Sequence, residues 1–129
     1  MEDADFSDEF CRFVQSAVPS VEVAEVLLYL FRQREGAWLP RQVVEGLPPG
    51  VRVSEADAAK HLQGLAAAGL AAAQPDGSYR YAPPGALGAC VETLALAYEE
   101  RPVTLIRLIY ALRDRKIRSF ADAFKLRKS

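Results

Sequence analysis

Six polar residues in the middle of this chain have side chains that donate hydrogen bonds to polar or anionic groups. Three of them lie in the segment EADAAKHLQGL, and they are Lys60, His61 and Gln63. Lysine and glutamine side chains can bond base edges in the major groove of DNA. Arg41, Arg52 and Arg80 flank that segment, and arginine side chains suit phosphate. What these six side chains contact depends on the elements that position them.

The sequence lacks the patterns that carry catalysis. It has no glycine-rich phosphate loop, no nucleophile elbow and no cysteine close to a histidine. Cys11 and Cys90 are far apart in sequence and His61 is the only histidine, so zinc-binding spacing is absent. We therefore expect no enzymatic activity, no cofactor and no metal ion, with two buried thiols in a reducing compartment.

A helix and a hairpin within residues 54–82 must position most of the six polar side chains. Ser54 is a good N-cap, because its hydroxyl can accept a hydrogen bond from an unpaired helix N–H group. Gly69 suits the left-handed position that ends a helix. Pro75-Asp76-Gly77 predicts a turn between two short strands, 70–73 and 78–81. The predicted order is therefore helix, strand, turn and strand.

Further elements are predicted before this segment. Ser20 is expected to cap a helix over residues 20–34, and residues 37–39 form a very short strand. Pro40 fits the first turn of the next helix, which stops before Gly46. Residues 47–53 then connect this helix to the one that begins after Ser54.

This order of elements over residues 20–83 resembles the winged helix-turn-helix domain of bacterial regulators of the MarR, ArsR and IclR type. The resemblance implies a mainly α fold with a small β-hairpin, with a helical arm at 1–19 and a helical extension at 84–129. In that family the third helix enters the major groove of DNA. The resemblance therefore implies that the protein binds duplex DNA, with the third-helix residues noted above facing bases and the three arginines contacting phosphates. The connection over residues 47–53 is longer than the three or four residues usual for the motif.

Two acidic residues leave a second function open. Glu55 and Asp57 occupy the first turn of the predicted third helix, the end that usually points into the groove. They either complement the helix dipole or repel phosphate. The second interpretation indicates a winged helix that contacts another protein and does not read DNA.

The net charge of −1 conceals a strong asymmetry along the chain. Residues 1–100 carry 15 acidic and seven basic side chains, whereas residues 101–129 carry two acidic and nine basic ones. The basic segment can dock on the acidic body of its own chain, on a second subunit or along nucleic acid. An anionic membrane surface is the least favoured partner, because few apolar side chains are available to insert.

The flanking segments carry more apolar surface than a minimal winged helix can cover, which predicts a homodimer. Helices are expected over residues 5–17 and 86–100. Residues 103–112 fit a buried helix or a buried strand, and helical neighbours favour the helix. The alternative to dimerisation is that the C-terminal extension packs over its own core. The predicted interface residues are Phe6, Phe10, Phe13, Leu94, Tyr98, Ile106, Ile109, Phe120 and Phe124.

The N-terminal residues are acidic and lack the basic region of a signal peptide. No apolar run approaches the ~20 residues that span a bilayer. We therefore expect a cytoplasmic protein.

Overall fold

The computed structural model describes residues 6–128, with side chains described for residues 6–115. In this part of the chain there are six helices and three short strands, which confirms a mainly helical fold with a small β-hairpin. The helices are α1 (Asp8–Ala17), α2 (Val21–Arg32), α3 (Pro40–Gly46), α4 (Glu55–Ala67), α5 (Gly85–Glu100) and α6 (Pro102–Lys128). The strands are β1 (Ala37–Trp38), β2 (Ala71–Ala73) and β3 (Tyr79–Tyr81).

Serine caps begin the first two helices. The Ser7 hydroxyl accepts a hydrogen bond from the Phe10 N–H group at 3.1 Å, so α1 begins at Asp8. The predicted first residue, Asp5, lies outside the described residues. Ser20 caps α2 as predicted, accepting from the Val23 N–H group at 3.2 Å. The two helices meet at an angle of 102°. This sharp corner places α1 across the end of α2.

Helix α2 lies at the centre of the core. It packs against α3, α4, α5 and β3, and most of its residues are buried. Leu27, Leu28 and Leu30 have no exposed surface. Burying a leucine side chain contributes about 1.5–3 kcal/mol, so these three leucines make a substantial contribution to tertiary stability.

The sheet is antiparallel, with β3 in the middle and β1 and β2 at its edges. The predicted hairpin therefore forms, and β1 adds a third strand to it. Gly69 and Gly77 have φ values of 85° and 89°, which fits the glycines predicted for the helix end and for the turn. The Tyr81 ring packs edge-on against Phe31 of α2, with 5.5 Å between ring centroids, and this contact fixes the sheet on the helices.

The C-terminal part is a helical hairpin. Helix α5 ends at Glu100, and α6 restarts at Pro102, so the helix predicted for residues 103–112 is confirmed. The buried side chains of α6 recur at helical spacing and face α1 and α5. They are Leu105, Leu108, Ile109 and Leu112.

The N-terminal phenylalanines belong to the core of the chain, which corrects their predicted role at a dimer interface. The rings of Phe6, Phe10 and Phe13 are 8% exposed or less, because α1 packs against α5 and α6. Leu94 and Ile109 are also fully buried, so these five side chains leave almost no surface for a second copy. Tyr98 and Ile106 are half-buried, and the side chains of Phe120 and Phe124 lie outside the described residues.

The two cysteines are buried on different helices. Cys11 lies on α1 and Cys90 on α5, which fits the expectation of buried thiols. Burial raises the pKa of the Cys90 thiol, and the nearby Glu9 carboxylate adds to this effect. The thiolate form of Cys90 is therefore disfavoured.

A buried polar pair joins α2 to α5. The Tyr98 hydroxyl donates a hydrogen bond to the Glu25 carboxylate, which is almost fully buried. Burial of the ring raises the pKa of Tyr98, and the hydrogen bond to Glu25 raises it further. Ionising the phenol would put two negative charges together in the interior, so the pair requires neutral tyrosine.

Alkaline pH is expected to destabilise the fold through Tyr98. Its pKa is higher in the folded chain than in the unfolded chain, so its stabilising contribution is complete below about pH 10 and disappears as the pH rises further. In Tyr98→Phe, the free energy of unfolding should fall less steeply above about pH 10 than in the wild type. At neutral pH this variant should already be less stable by about 1–3 kcal/mol, since Glu25 loses its partner.

Urea unfolding at a series of pH values measures both effects. Tyr79→Phe is the matched control, because it removes one tyrosine hydroxyl from the sheet, away from the Glu25 pair. If the free energy of unfolding of Tyr98→Phe fell as steeply at high pH as that of the wild type, the proposed effect of Tyr98 ionisation would be contradicted.

Candidate nucleic-acid interface

Helix α4 presents one apolar face to the core and one polar face to solvent. The Ser54 hydroxyl accepts a hydrogen bond from the Asp57 N–H group at 3.1 Å and starts the helix, as predicted. Ala58, Leu62 and Leu65 follow at helical spacing, and all three are buried. Helix α3 packs closely against α4. This packing fixes which side of α4 faces outward.

The outward side of α4 is the surface that the sequence predicts for DNA. We call it the α4 face, and its exposed residues are Ala56, Asp57, Lys60, Gln63 and Gly64. An added Cβ atom at Gly64 would meet no atom within 4 Å, so this end of the face is open. A large ligand can therefore approach the helix backbone closely at Gly64, next to Lys60 and Gln63.

His61 lies at the edge of the α4 face and not at its centre. It is half-buried and borders a groove of about 200 Å³ between α4 and the corner where α1 meets α2. Lys60 and Gly64 line the same groove. The opposite wall contains Ser16, Ala17, Pro19 and Val23. The structure thus brings Lys60 and His61 together but turns the imidazole toward the groove.

Arg80 is exposed on the central strand of the sheet. Its neighbours across the strands are Ala37 and Ala72, whose small side chains leave the guanidinium group unobstructed. Because side chains alternate along a strand, Tyr79 and Tyr81 point to the opposite face and pack against the core. The exposed position of Arg80 therefore follows from the alternation of side chains along β3.

The turn between β2 and β3 is held by Asp76. Its Oδ1 atom accepts hydrogen bonds from the Ser78 N–H group at 3.0 Å and from the Ser78 hydroxyl at 2.6 Å. These bonds lower the pKa of Asp76. The tip of the hairpin therefore carries a negative charge at neutral pH.

The remaining charges near α4 are of both signs. Arg41 is exposed in the first turn of α3, and Arg52 is exposed in the connection that leads into α4. Glu55 and Asp57 are exposed in the first turn of α4. The first turn of α4 thus carries two carboxylates, and the connection that precedes it carries one cation, Arg52.

Arg34 is an exposed cation near the sheet that the sequence pattern did not single out. Its guanidinium group donates to the Phe31 carbonyl oxygen at 2.7 Å and lies 4.7 Å from the centroid of the Phe31 ring. It borders a groove of about 300 Å³ beside Tyr81 and the start of α5. The spacing of three residues between Phe31 and Arg34 is the signal that could have indicated this contact.

Other kinds of site are not indicated in the part of the chain that the structure describes. No group of three or more His, Cys, Asp or Glu side chains is placed to hold a metal ion there. None of the described helices is by itself both long enough and apolar enough to cross a membrane. No family model matches this chain, and neither a curated protein nor a solved structure shows significant similarity to it.

Proposed function

We propose that this chain is a cytoplasmic winged helix-turn-helix protein that regulates transcription by binding duplex DNA as a homodimer. The element order α2, β1, α3, α4, β2, β3 is the order of a winged helix, and the strand order β1-β3-β2 agrees with it. Residues 20–83 form the core, α4 is the third helix and the β2–β3 hairpin is the wing. The flanking helices α1, α5 and α6 extend this core.

The exposed polar face of α4 is the observation that carries the proposal. Lys60 and Gln63 face solvent, and Gly64 next to them adds no side chain that would block the approach of a base pair. Their side chains donate hydrogen bonds to base edges in the major groove, with His61 at the flank. Phosphate is contacted from the neighbouring segments, by Arg41, Arg52 and Arg80.

Two copies bind better than one, because each copy offers few cations. A symmetric dimer doubles the number of phosphate contacts. It also presents two α4 helices to two half-sites, about 34 Å apart along the DNA. The proposal therefore includes a palindromic operator.

Exposed acidic groups favour a second candidate, a winged helix that binds a protein. Glu55 and Asp57 at the start of α4, together with Asp76 at the hairpin tip, place negative charge on the surface that would approach phosphate. Such a surface suits a basic protein partner. The two candidates differ in one property, which is whether the chain binds DNA in a salt-dependent manner.

A fluorescence-anisotropy titration of random-sequence duplex DNA separates the two candidates. Three phosphate contacts in each copy predict a slope of about −5 when log K is plotted against log salt for the dimer. Light scattering on the same samples gives the mass, so the slope can be assigned to one copy or to two. Absence of binding even at low salt would reject DNA recognition and favour the protein-binding candidate.

A further inference from the structure

The large exposed apolar side chains are confined to one part of the molecule. Among the side chains that the structure describes, three large apolar ones are more than half exposed: Leu96 at 55%, Val103 at 60% and Tyr110 at 52%. Leu96 lies on α5, whereas Val103 and Tyr110 lie on α6. The winged-helix core has none of them. Large apolar side chains exposed on neighbouring helices are typical of an interaction surface.

Helix α6 carries two apolar stripes. One is buried against α1 and α5, as described above. The second contains Val103, Ile106 and Tyr110, spaced by three and then four residues, and it is partly or fully exposed. In the sequence the same spacing recurs at Ile117, Phe120 and Phe124. A stripe repeated every three to four residues is typical of a helix that packs against a partner helix.

The charges beside the exposed apolar residues differ in sign between the two helices. Leu96 on α5 is bordered by the exposed residues Glu92 and Glu99, and α5 contains no lysine or arginine. Tyr110 on α6 is bordered by the exposed residues Arg107 and Arg113. Over its length, α6 contains eight basic and two acidic residues. The exposed surface of α5 beside Leu96 is thus acidic, and the exposed surface of α6 beside Tyr110 is basic.

We propose that the α5–α6 hairpin is the surface through which two copies of this chain associate. Helix α5 of one copy packs against α6 of the other, and the symmetric contact forms at the same time. Leu96, Val103 and Tyr110 are buried in this arrangement, and acidic α5 faces basic α6 across both contacts. Packing α6 on α6 would instead bring like charges together, which opposes association.

The course of α6 also favours a second copy as the partner of the basic segment. The helix continues to Lys128, and residues 103–128 contain no proline or glycine to kink it. Residues 113–128 therefore extend about 24 Å beyond Leu112, the last buried residue of the helix among the described side chains. This length gives the basic segment the reach to contact a second copy.

Sedimentation equilibrium without DNA tests this pairing with two oppositely charged variants. Leu96→Lys puts a positive charge opposite basic α6, and Tyr110→Glu puts a negative charge opposite acidic α5. Each should raise the dimer dissociation constant at least about tenfold, because each charges an anchor near the centre of the interface. Ala73→Lys and Ala73→Glu, at an exposed residue of β2, are the matched controls and should dissociate like the wild type.

Mixing the Leu96→Lys variant with the Tyr110→Glu variant is the decisive step. In the mixed dimer the two introduced charges are of opposite sign and share one α5–α6 contact, while the other contact is unchanged. The mixture should therefore regain a mass near twice 14.2 kDa. Circular dichroism checks that each variant is folded.

Three results would overturn the pairing: a wild type that stays monomeric, variants that associate as tightly as the wild type, or a mixture that does not associate. The pairing of α5 with α6 rests on one part of the proposed function, which is that the chain forms a homodimer, and it does not depend on DNA recognition. Because the experiment contains no DNA, its failure is distinct from a failure to bind DNA.

Discussion

Reversing two charges on the proposed DNA-binding surface, in the double variant Lys60→Glu with Arg80→Glu, should raise the dissociation constant for duplex DNA at least about 100-fold. Lys60 lies on the α4 face and Arg80 on the hairpin, so the variant removes one candidate base contact and one candidate phosphate contact in each copy. A dimer then presents four new carboxylates to the DNA. The slope of log K against log salt should become shallower at the same time.

Folding should be unaffected, because both side chains are exposed and lie outside the core. The matched control is Arg12→Glu with Arg32→Glu, which changes the charge equally at exposed positions on α1 and α2. This control should weaken binding far less than the test variant. Equal losses of affinity in both variants would mean that net charge alone governs binding. Unchanged affinity in the test variant would show that the α4 face does not contact DNA.

Local signals in the sequence predicted most of the elements. The hydroxyls of Ser20 and Ser54 start their helices as expected, and Gly69 and Gly77 adopt the left-handed conformation that their positions require. These features are local, since a cap or a turn depends only on residues close in sequence. The exposed side of α4 was predictable for a similar reason, because helical spacing separates its apolar residues from its polar ones.

The partners of apolar stripes were not predictable. An amphipathic stripe such as Phe6, Phe10 and Phe13 must be covered, but spacing does not tell whether its cover is the same chain or another copy. Here α5 and α6 supply the cover. Val103 and Tyr110, which belong to a segment apolar nearly all round, instead remain exposed. That distinction depends on tertiary packing between residues almost 100 positions apart.

The long-range contacts of single polar side chains were also beyond the sequence. Helical spacing places His61 at the flank of α4, but it does not reveal the groove formed with the corner of α1 and α2. The Tyr98 hydroxyl donates a hydrogen bond to the buried carboxylate of Glu25, 73 positions away in sequence. Such long-range polar pairs leave no periodic signal in the chain.

Truncating one of the buried phenylalanines, in Phe10→Ala, should lower the free energy of unfolding by about 3–5 kcal/mol. Phe10 is 3% exposed, and its ring centroid lies 5.1 Å from that of Phe6 and 6.1 Å from that of Phe13. Removing the ring leaves a cavity where α1 meets the helical hairpin. The loss is a large part of the roughly 5–15 kcal/mol that stabilises a typical domain. Urea unfolding at one fixed protein concentration measures it.

Arg12→Ala is the control on the same helix, and it should change stability by no more than about 0.5 kcal/mol, because Arg12 is exposed. If Phe10 belongs to the core, its truncation lowers stability but leaves the mass of the folded protein unchanged. If it belonged to an interface, truncation would shift the mass toward the monomer and spare the folded chain. A shift in mass at unchanged stability would therefore show that the phenylalanines lie in the dimer interface. It would also remove the reason for placing Leu96 and Tyr110 in that interface.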